Sequence, residues 1–312
     1  MQKGRCTRWL TALAVLLSLL VAQVGVAAAA GQTRVVTDGT GRRVEIPAQP
    51  RRIVALTPWV VEVLFLLGHP PVGRPSSADY PPEALQIPAH GQSYRLNFER
   101  IAALQPDLII GNGNLHSPYL AKLEETGAPV LFYDIDSYRD VLEKLRIMGE
   151  IVNEKQKAEQ IVAEIERRAK ALRDRLPARH PRVLIMVGSA EAWSAAKPNS
   201  YLGDLVQQLG AVNVAAEGME HRPGFTRFSM ERVVELDPDV ILLVKPVRDP
   251  SDTSKALPGF QKDPLWGGLS AVKQGRVYEL DHSVFMSPGP RAIDTLEELA
   301  GYLYPEVFRR GR

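Results

Sequence analysis

The residue types that carry covalent or metal chemistry are scattered in this chain. Six histidines occur in 312 residues, and none stands four positions from another. The HExxH pattern, which sets two imidazoles on one helical face for zinc, is absent. So are the GxSxG nucleophile elbow and the phosphate-cradling P-loop. GNGNLH at 111–116 begins like a dinucleotide loop, but His116 stands where the third glycine belongs, so it reads as a cleft loop. A bare Zn²⁺ or Mn²⁺ site needs three or four converging His, Asp or Glu ligands, and no segment supplies them. No acidic pair is placed by sequence for acid–base work. The chemistry therefore points to binding and not to turnover, with an exported hydrolase as the enzyme alternative.

The N-terminal segment reads as a signal peptide, residues 1–30. Lys3, Arg5 and Arg8 form a basic start, an apolar stretch runs from Trp9 to Val26, and Ala27–Ala30 offers small residues for cleavage. Cys6, the single cysteine, lies in the basic start with no apolar run before it, so a lipoprotein is not expected. Cleavage leaves no thiol, hence no disulfide and no thiolate metal site. The formal charge of +2 loses three basic residues and becomes slightly negative. A near-neutral mature chain has no electrostatic case for nucleic acid. With no second membrane-length apolar stretch, the mature protein is expected to be exported and soluble in the periplasm or outside the cell.

One phrase occurs twice. Residues 97–110 read NFERIAALQPDLII and residues 229–242 read SMERVVELDPDVIL. Glu99/Glu231, Arg100/Arg232, Leu104/Leu236, Pro106/Pro238 and Asp107/Asp239 fall at equal offsets. In each copy a short helix ends at a Pro-Asp turn and feeds an apolar strand. The neighbouring elements correspond too. RIVAL (52–56) answers RVLIMV (182–187), and APVLFYD (128–134) answers GRVYELD (275–281). Strands alternating with helices imply parallel sheets covered on both faces. The expected class is α/β: two Rossmann-like lobes, 31–137 and 178–312, joined by connecting helices over 138–177, with a ligand cleft between the lobes. RVVTDGTGRRVEIP (34–47) reads as a hairpin ahead of them.

The backbone helix of the connector is expected over 154–176. Apolar residues recur at Ala158, Ile161, Val162, Ile165, Ala169, Leu172 and Leu176, one helical face. Asn153 with Gln156 resembles a capping box. A rigid connector should limit lobe motion on ligand binding. Small-angle scattering is expected to change little with ligand, and a large compaction would contradict a stiff connector.

In open α/β lobes, ligands bind beyond the carboxyl ends of the strands. In the first lobe those ends offer Trp59, Tyr80, Tyr94, Asn112 and His116. In the second they offer Trp193, Phe225, Arg227, Lys245, His282 and Arg291.

RRIVALTPWVVEVLFLLG (51–68), SADYPPEA (77–84), NFERIAALQPDLIIG (97–111) and DVLEKLRIMGEIV (140–152) carry a family resemblance. FSMERVVELDPDVILL (228–243) and AVKQGRVYELD…SPGPR (271–291) extend it. In order and spacing these segments resemble the periplasmic substrate-binding proteins of ABC importers for iron-siderophores, haem and vitamin B12. The resemblance spans about 34–306. It implies no catalytic residue and no intrinsic cofactor, a monomer, and delivery to an ABC permease dimer with its ATPase. It implies that Glu99 and Glu231 dock onto permease arginines and that Arg291 faces the ligand. The ligand it implies is an iron chelate, haem or a corrinoid. Haem iron can be held by Tyr or His, which makes Tyr94, His116, His221 and His282 the candidate iron ligands. Arg227, Lys245, Arg291 and Lys197 suit the acidic oxygens of a ferric siderophore. SADYPPEA matches the cobalamin branch, but 91–94 (GQSY) and 111–114 (GNGN) lack the tryptophans expected there. Iron-siderophore or haem stands first and cobalamin close behind. A receptor presenting its ligand to a sensor is the further alternative.

Overall fold

A computed structural model describes residues 32–189, 192–216, 224–227, 229–244 and 264–308. The leader, His221 and Lys245 lie outside the described residues. Each lobe is organised round three parallel strands in the same order. In the first lobe Leu108–Gly111 lies between Ile53–Ala55 and Val130–Phe132. All ten residues are buried, as expected for short apolar strands covered on both faces. In the second lobe Val240–Val244 lies between Arg182–Ser189 and Val277–Leu280. Thus the strand after each copy of the repeated phrase is the central one. Val212–Asn213 adds a parallel strand at the start of Arg182–Ser189. Ala192–Ala196 folds back antiparallel on its end, and Phe225–Thr226 pairs beyond that.

Local sequence accounts for the helix that leaves the first strand. Pro58–Leu67 has proline in its first turn and stops at Gly68, whose φ of 85° is the left-handed conformation glycine adopts without penalty. The N-terminal hairpin, Thr33–Thr37 with Arg43–Pro47, docks through Arg34. The Arg34 guanidinium donates to the carbonyls of Glu150 and Ile151, at the C-terminal end of helix Tyr138–Ile151. Cations are favoured there, because the last carbonyls of a helix lack partners.

The backbone helix spans Lys155–Arg173, shorter at both ends than the periodicity suggested. The capping box does not form. Asn153 adopts φ 62° and its side-chain amide donates to the Ala48 carbonyl instead. At the other end, Arg175 and Leu176 bond three residues back, so the helix tightens out of register before Pro177. Its face Ala158, Val162, Ile165, Ala169 and Leu172 is buried.

One apolar cluster runs through both lobes. It joins Val60 and Leu64 of the first lobe to Leu145, Met148, Val162 and Ile165 of the connecting helices. It continues to Leu205, Ile293 and Leu296 of the second lobe. Burial of each such side chain contributes about 1.5–3 kcal/mol. Separating the lobes therefore opens a common core. Polar ties reinforce the junction. The backbone N–H of Tyr138 donates to Asp204 at 2.7 Å, and Arg168 of the backbone helix pairs with Asp294 and Glu297 of the last helix, Ala292–Leu303.

Gly203, in helix Tyr201–Gln208, marks a close approach. A Cβ there would lie 1.9 Å from the Lys197 carbonyl oxygen, a backbone atom that has little room to retreat. Gly203→Ala is expected to destabilise by about 1–3 kcal/mol or more, the range for overpacking. A melting temperature equal to wild type would show that the 197–203 loop yields freely.

Candidate ligand cleft

The repeated phrase positions a pair of exposed carboxylates. The Asn97 side chain accepts the Arg100 N–H, and the Ser229 hydroxyl accepts the Arg232 N–H, so each short helix is N-capped by the same position of the repeat. Glu99 and Glu231 sit in the first turns, both exposed. A carboxylate there is favoured by the free N–H groups of the helix start. Hydrogen bonds from its own backbone and from Ser229 hold the Glu231 carboxyl below its ordinary value.

The rest of the phrase ties each helix to its sheet. Gln105 and Asp237, at equal offsets, take positive φ of 46° and 35°. The Asp107 carboxylate accepts the N–H groups of Arg51 and Arg52, and Asp239 accepts that of Arg182. The Arg52 and Arg182 guanidinium groups in turn donate to the carbonyls of Leu104 and Leu236. The duplicated letters thus encode a duplicated clamp on the first strand of each lobe.

In the first lobe, the loops beyond the strand ends gather around His116. Asn112 caps the short turn Gly113–His116 with its side chain. The Asn112 N–H donates to His116 Nδ1 at 3.0 Å, and His116 Nε2 lies 2.8 Å from the Ser93 carbonyl. Nδ1 therefore accepts while Nε2–H donates, a neutral imidazole. The residue is fully buried, and both ring nitrogens serve its own lobe. Tyr94, next to Ser93, is 66% exposed. Its phenol is the accessible candidate iron ligand of this lobe.

His90 is buried likewise and bonds the Ala55 carbonyl through Nε2. Burial pushes both His90 and His116 below the ordinary imidazole value, with their carbonyl bonds opposing. A folded value below the unfolded one means that the unfolded chain takes up protons first. The stability these residues confer is complete above about pH 6.5 and is lost as pH falls through the depressed values. Melting temperature is expected to fall on acidification from pH 7 to 5.5, with both imidazole NMR resonances titrating below about 6.5. Resonances titrating above that would contradict the buried neutral rings.

In the second lobe, Trp193 packs on the cluster that contains Met186 and Ala195, on the outer side of the sheet. Phe225 is 36% exposed on the edge strand, and Arg227 follows it, exposed. His282 opens the turn after the last strand, half-buried, and burial lowers it with Asp281 opposing. Among the described residues, no group of three or more His, Cys, Asp or Glu side chains could hold a bare metal ion.

The lobes meet at a cluster whose centre, Glu62, the sequence reading missed. Arg291 donates from Nε and Nη2 to the two Glu62 oxygens at 2.9 and 2.7 Å, across the lobe boundary. The guanidinium also stacks on the Tyr80 ring, 4.3 Å from its centroid. Trp59 is 4% exposed and its main chain lies close to Gly289, where an added Cβ would stand 3.4 Å from the Trp59 Cβ; its Nε1–H is buried without a hydrogen-bond partner among the described residues. Tyr201 packs nearby, its phenol pushed up by burial and then by the Glu62 charge. Burial also raises the Glu62 carboxyl, with Arg291 pulling it down and Asp79 adding to the rise. A groove of about 640 Å³ adjoins the cluster, walled by Phe65, Ile161, Ile165 and Ile293. Glu62 left a signal: it is the one charged residue in PWVVEVLFLL, and a carboxylate in an all-apolar helix needs a partner.

Residues 53–284 match the family described as periplasmic binding protein. Among curated relatives, the uncharacterized ABC transporter substrate-binding lipoprotein YvrC of Bacillus subtilis is 26% identical over 284 residues, 88% of this chain and 86% of its own. The high-affinity heme uptake system protein IsdE of Staphylococcus aureus is 27% identical over 241 residues, 75% and 80% of the two chains. A cobalamin-binding protein of Halobacterium salinarum is 25% identical over 271 residues, 84% and 72%. Among solved structures, the apo periplasmic heme-binding protein RhuT from Roseiflexus is 28% identical with a TM-score of 0.72, covering 82% of this chain and 99% of that one. Staphylococcus aureus SirA, solved with staphyloferrin B, has a TM-score of 0.72 at 21% identity, covers 87% and 98%, and shows the fold alone.

One expectation is corrected. The reading of the leader set lipid attachment aside and expected a soluble mature protein. YvrC is named a lipoprotein, and so is YhfQ of Bacillus subtilis, 24% identical over 287 residues, 87% of this chain and 88% of its own. The expectation rested on the place of Cys6 alone, in the basic start with no apolar run before it, and the two relatives named lipoproteins overturn it. With residues 53–284 matched, this chain belongs to the periplasmic binding protein family.

Proposed function

We propose that this protein is the extracytoplasmic receptor of an ABC importer, taking one iron-siderophore or haem between its lobes and delivering it to a permease dimer with its ATPase. The family match over residues 53–284 carries the reading. The interlobe cluster supports the ligand class. Arg291 presents a planar bidentate face, the geometry that suits carboxylate or other acidic oxygens, and Tyr80, 45% exposed, supplies aromatic surface beside it. Tyr94 and His282 are the proposed iron ligands among the described residues. Asn112 and His116 shape the first-lobe loop, while Phe225 and Arg227 extend the site from the second lobe. Glu99 and Glu231 are the proposed contacts to permease arginines, one on each lobe.

Cobalamin is the second reading, favoured by SADYPPEA and by the cobalamin-binding relative. The test is an absorbance and tryptophan-quenching titration against hemin, a ferric catecholate, a ferric hydroxamate and cyanocobalamin. A sharpened, shifted Soret band saturating at one-to-one identifies haem. Quenching by one siderophore, or by cyanocobalamin alone, identifies that chelate. No response to any probe rejects the proposed ligand class.

A further inference from the structure

Glu62 makes Arg291 a site that is already filled. Its carboxylate takes the Nε/Nη2 edge of the guanidinium, one of the two edges on which a ligand carboxylate or other acidic oxygen pair binds in bidentate fashion. Three observations make this contact more than a surface ion pair. It joins residues 229 apart in the chain, from different lobes. The Glu62 side chain is 4% exposed and Arg291 21%. The guanidinium is fixed in orientation by the Tyr80 ring.

We propose that Glu62 is an internal stand-in for an acidic group of the cargo. An anionic chelate displaces it from Arg291, and the freed carboxylate takes up one proton from solvent on an Oε atom. This rests on the proposed role of Arg291 as a ligand contact. Once the cation is shared with a ligand anion, Glu62 becomes a buried charge with less compensation. Protonation is the inexpensive escape for a carboxylate so placed. The other groups facing it do not hold it ionised. Asp79, from the loop before Tyr80, opposes its charge, and Tyr201, from the second-lobe helix, is a neutral phenol. Of the charges round the adjoining groove, Glu83, Glu164 and Asp294 are acidic, and the cation Arg168 is committed to Asp294 and Glu297.

Three consequences follow from the displacement. A neutral ligand has nothing with which to displace Glu62, so the pair selects for acidic chelates. Affinity for an acidic chelate should fall as pH rises, by up to about tenfold per pH unit for one linked proton. Glu62→Gln, the same shape without the charge, should tighten binding on the order of tenfold at neutral pH, within the usual span of coupled equilibria. Glu62 is thus a positioning residue acting through Arg291.

The test is isothermal titration of wild type and Glu62→Gln with hemin, a ferric catecholate and cyanocobalamin. It is run at pH 6.5 and 7.5 in buffers of different ionisation enthalpy, which counts protons exchanged per ligand. Proton uptake with hemin or the catecholate that Glu62→Gln loses, together with tighter binding by that variant, is the expected result. A purely structural salt bridge predicts weaker or unchanged binding and no change in proton count. Zero uptake by wild type overturns the proposal however the variant folds. Equal uptake in both proteins, or binding of cyanocobalamin alone, overturns it and leaves the receptor function standing. If no probe binds, both readings fail.

Discussion

Reversing Glu99 and Glu231 together to lysine is expected to abolish ligand uptake in cells while leaving ligand affinity in vitro unchanged. Both side chains are exposed in the first turn of a capped helix, and each helix is fixed to its own sheet by an aspartate clamp. The substitutions therefore change surface charge without disturbing the packed lobes, and neither position adjoins the Glu62–Arg291 cluster. At an interface, like charges set opposite one another destroy docking register and slow association. Two reversals on opposite lobes should lower uptake on the order of a hundredfold or more. Single reversals should fall between. Each leaves one lobe correctly paired, and linked contacts raise each other's effective concentration. The measurement is uptake of labelled ligand by cells carrying the cognate permease, beside a binding titration of the purified variant. Wild-type uptake by the double variant would remove the assignment of these carboxylates to docking.

Arg291→Ala is expected to destabilise the fold strongly. It strands Glu62, whose side chain is almost wholly buried. Removing one partner of a buried pair costs about 3–5 kcal/mol, because the other charge stays without compensation. For a chain of this size that lowers the melting temperature by roughly 6–20 °C. The sign of the pH dependence identifies the cause. Burial raises the Glu62 carboxyl even with Arg291 present, and without the cation it rises further. A carboxyl raised by folding favours the protonated native state. Stability of Arg291→Ala should therefore be greatest below about pH 4.5 and fall as pH rises through the raised value. Adding Glu62→Gln should recover most of the loss near neutrality, since an amide needs no counter-charge. Thermal melts of the four proteins of this cycle, across pH, decide it. An additive double variant would mean that the two side chains are not coupled.

The sequence was most legible where structure is local. Gly68 stops its helix as a left-handed cap, and the strands at 53–55, 108–111 and 240–244 follow their apolar runs. The duplicated phrase was legible as two lobes. The work of its letters was not, since the reach of Asp107 back to Arg51 and Arg52 needs the sheet to have formed. Asn153 shows the limit of short-range rules. Its spacing to Gln156 suits a capping box, but the neighbouring hairpin offers the Ala48 carbonyl and the side chain turns there. His116 reads as an available imidazole beyond a strand end, yet two backbone groups of its own lobe engage its ring.

What the sequence by itself determined was the alternation of strand and helix, the duplication, and the family. These rest on periodicities and turn residues that act over a few positions, and on the order of segments along the chain. What only the tertiary structure decided was the meeting of Glu62 with Arg291 on Tyr80, and the single core running through both lobes. Residues 229 apart are brought together by how the connecting helices pack. That packing is settled by the fit of many buried side chains at once, which no local pattern specifies.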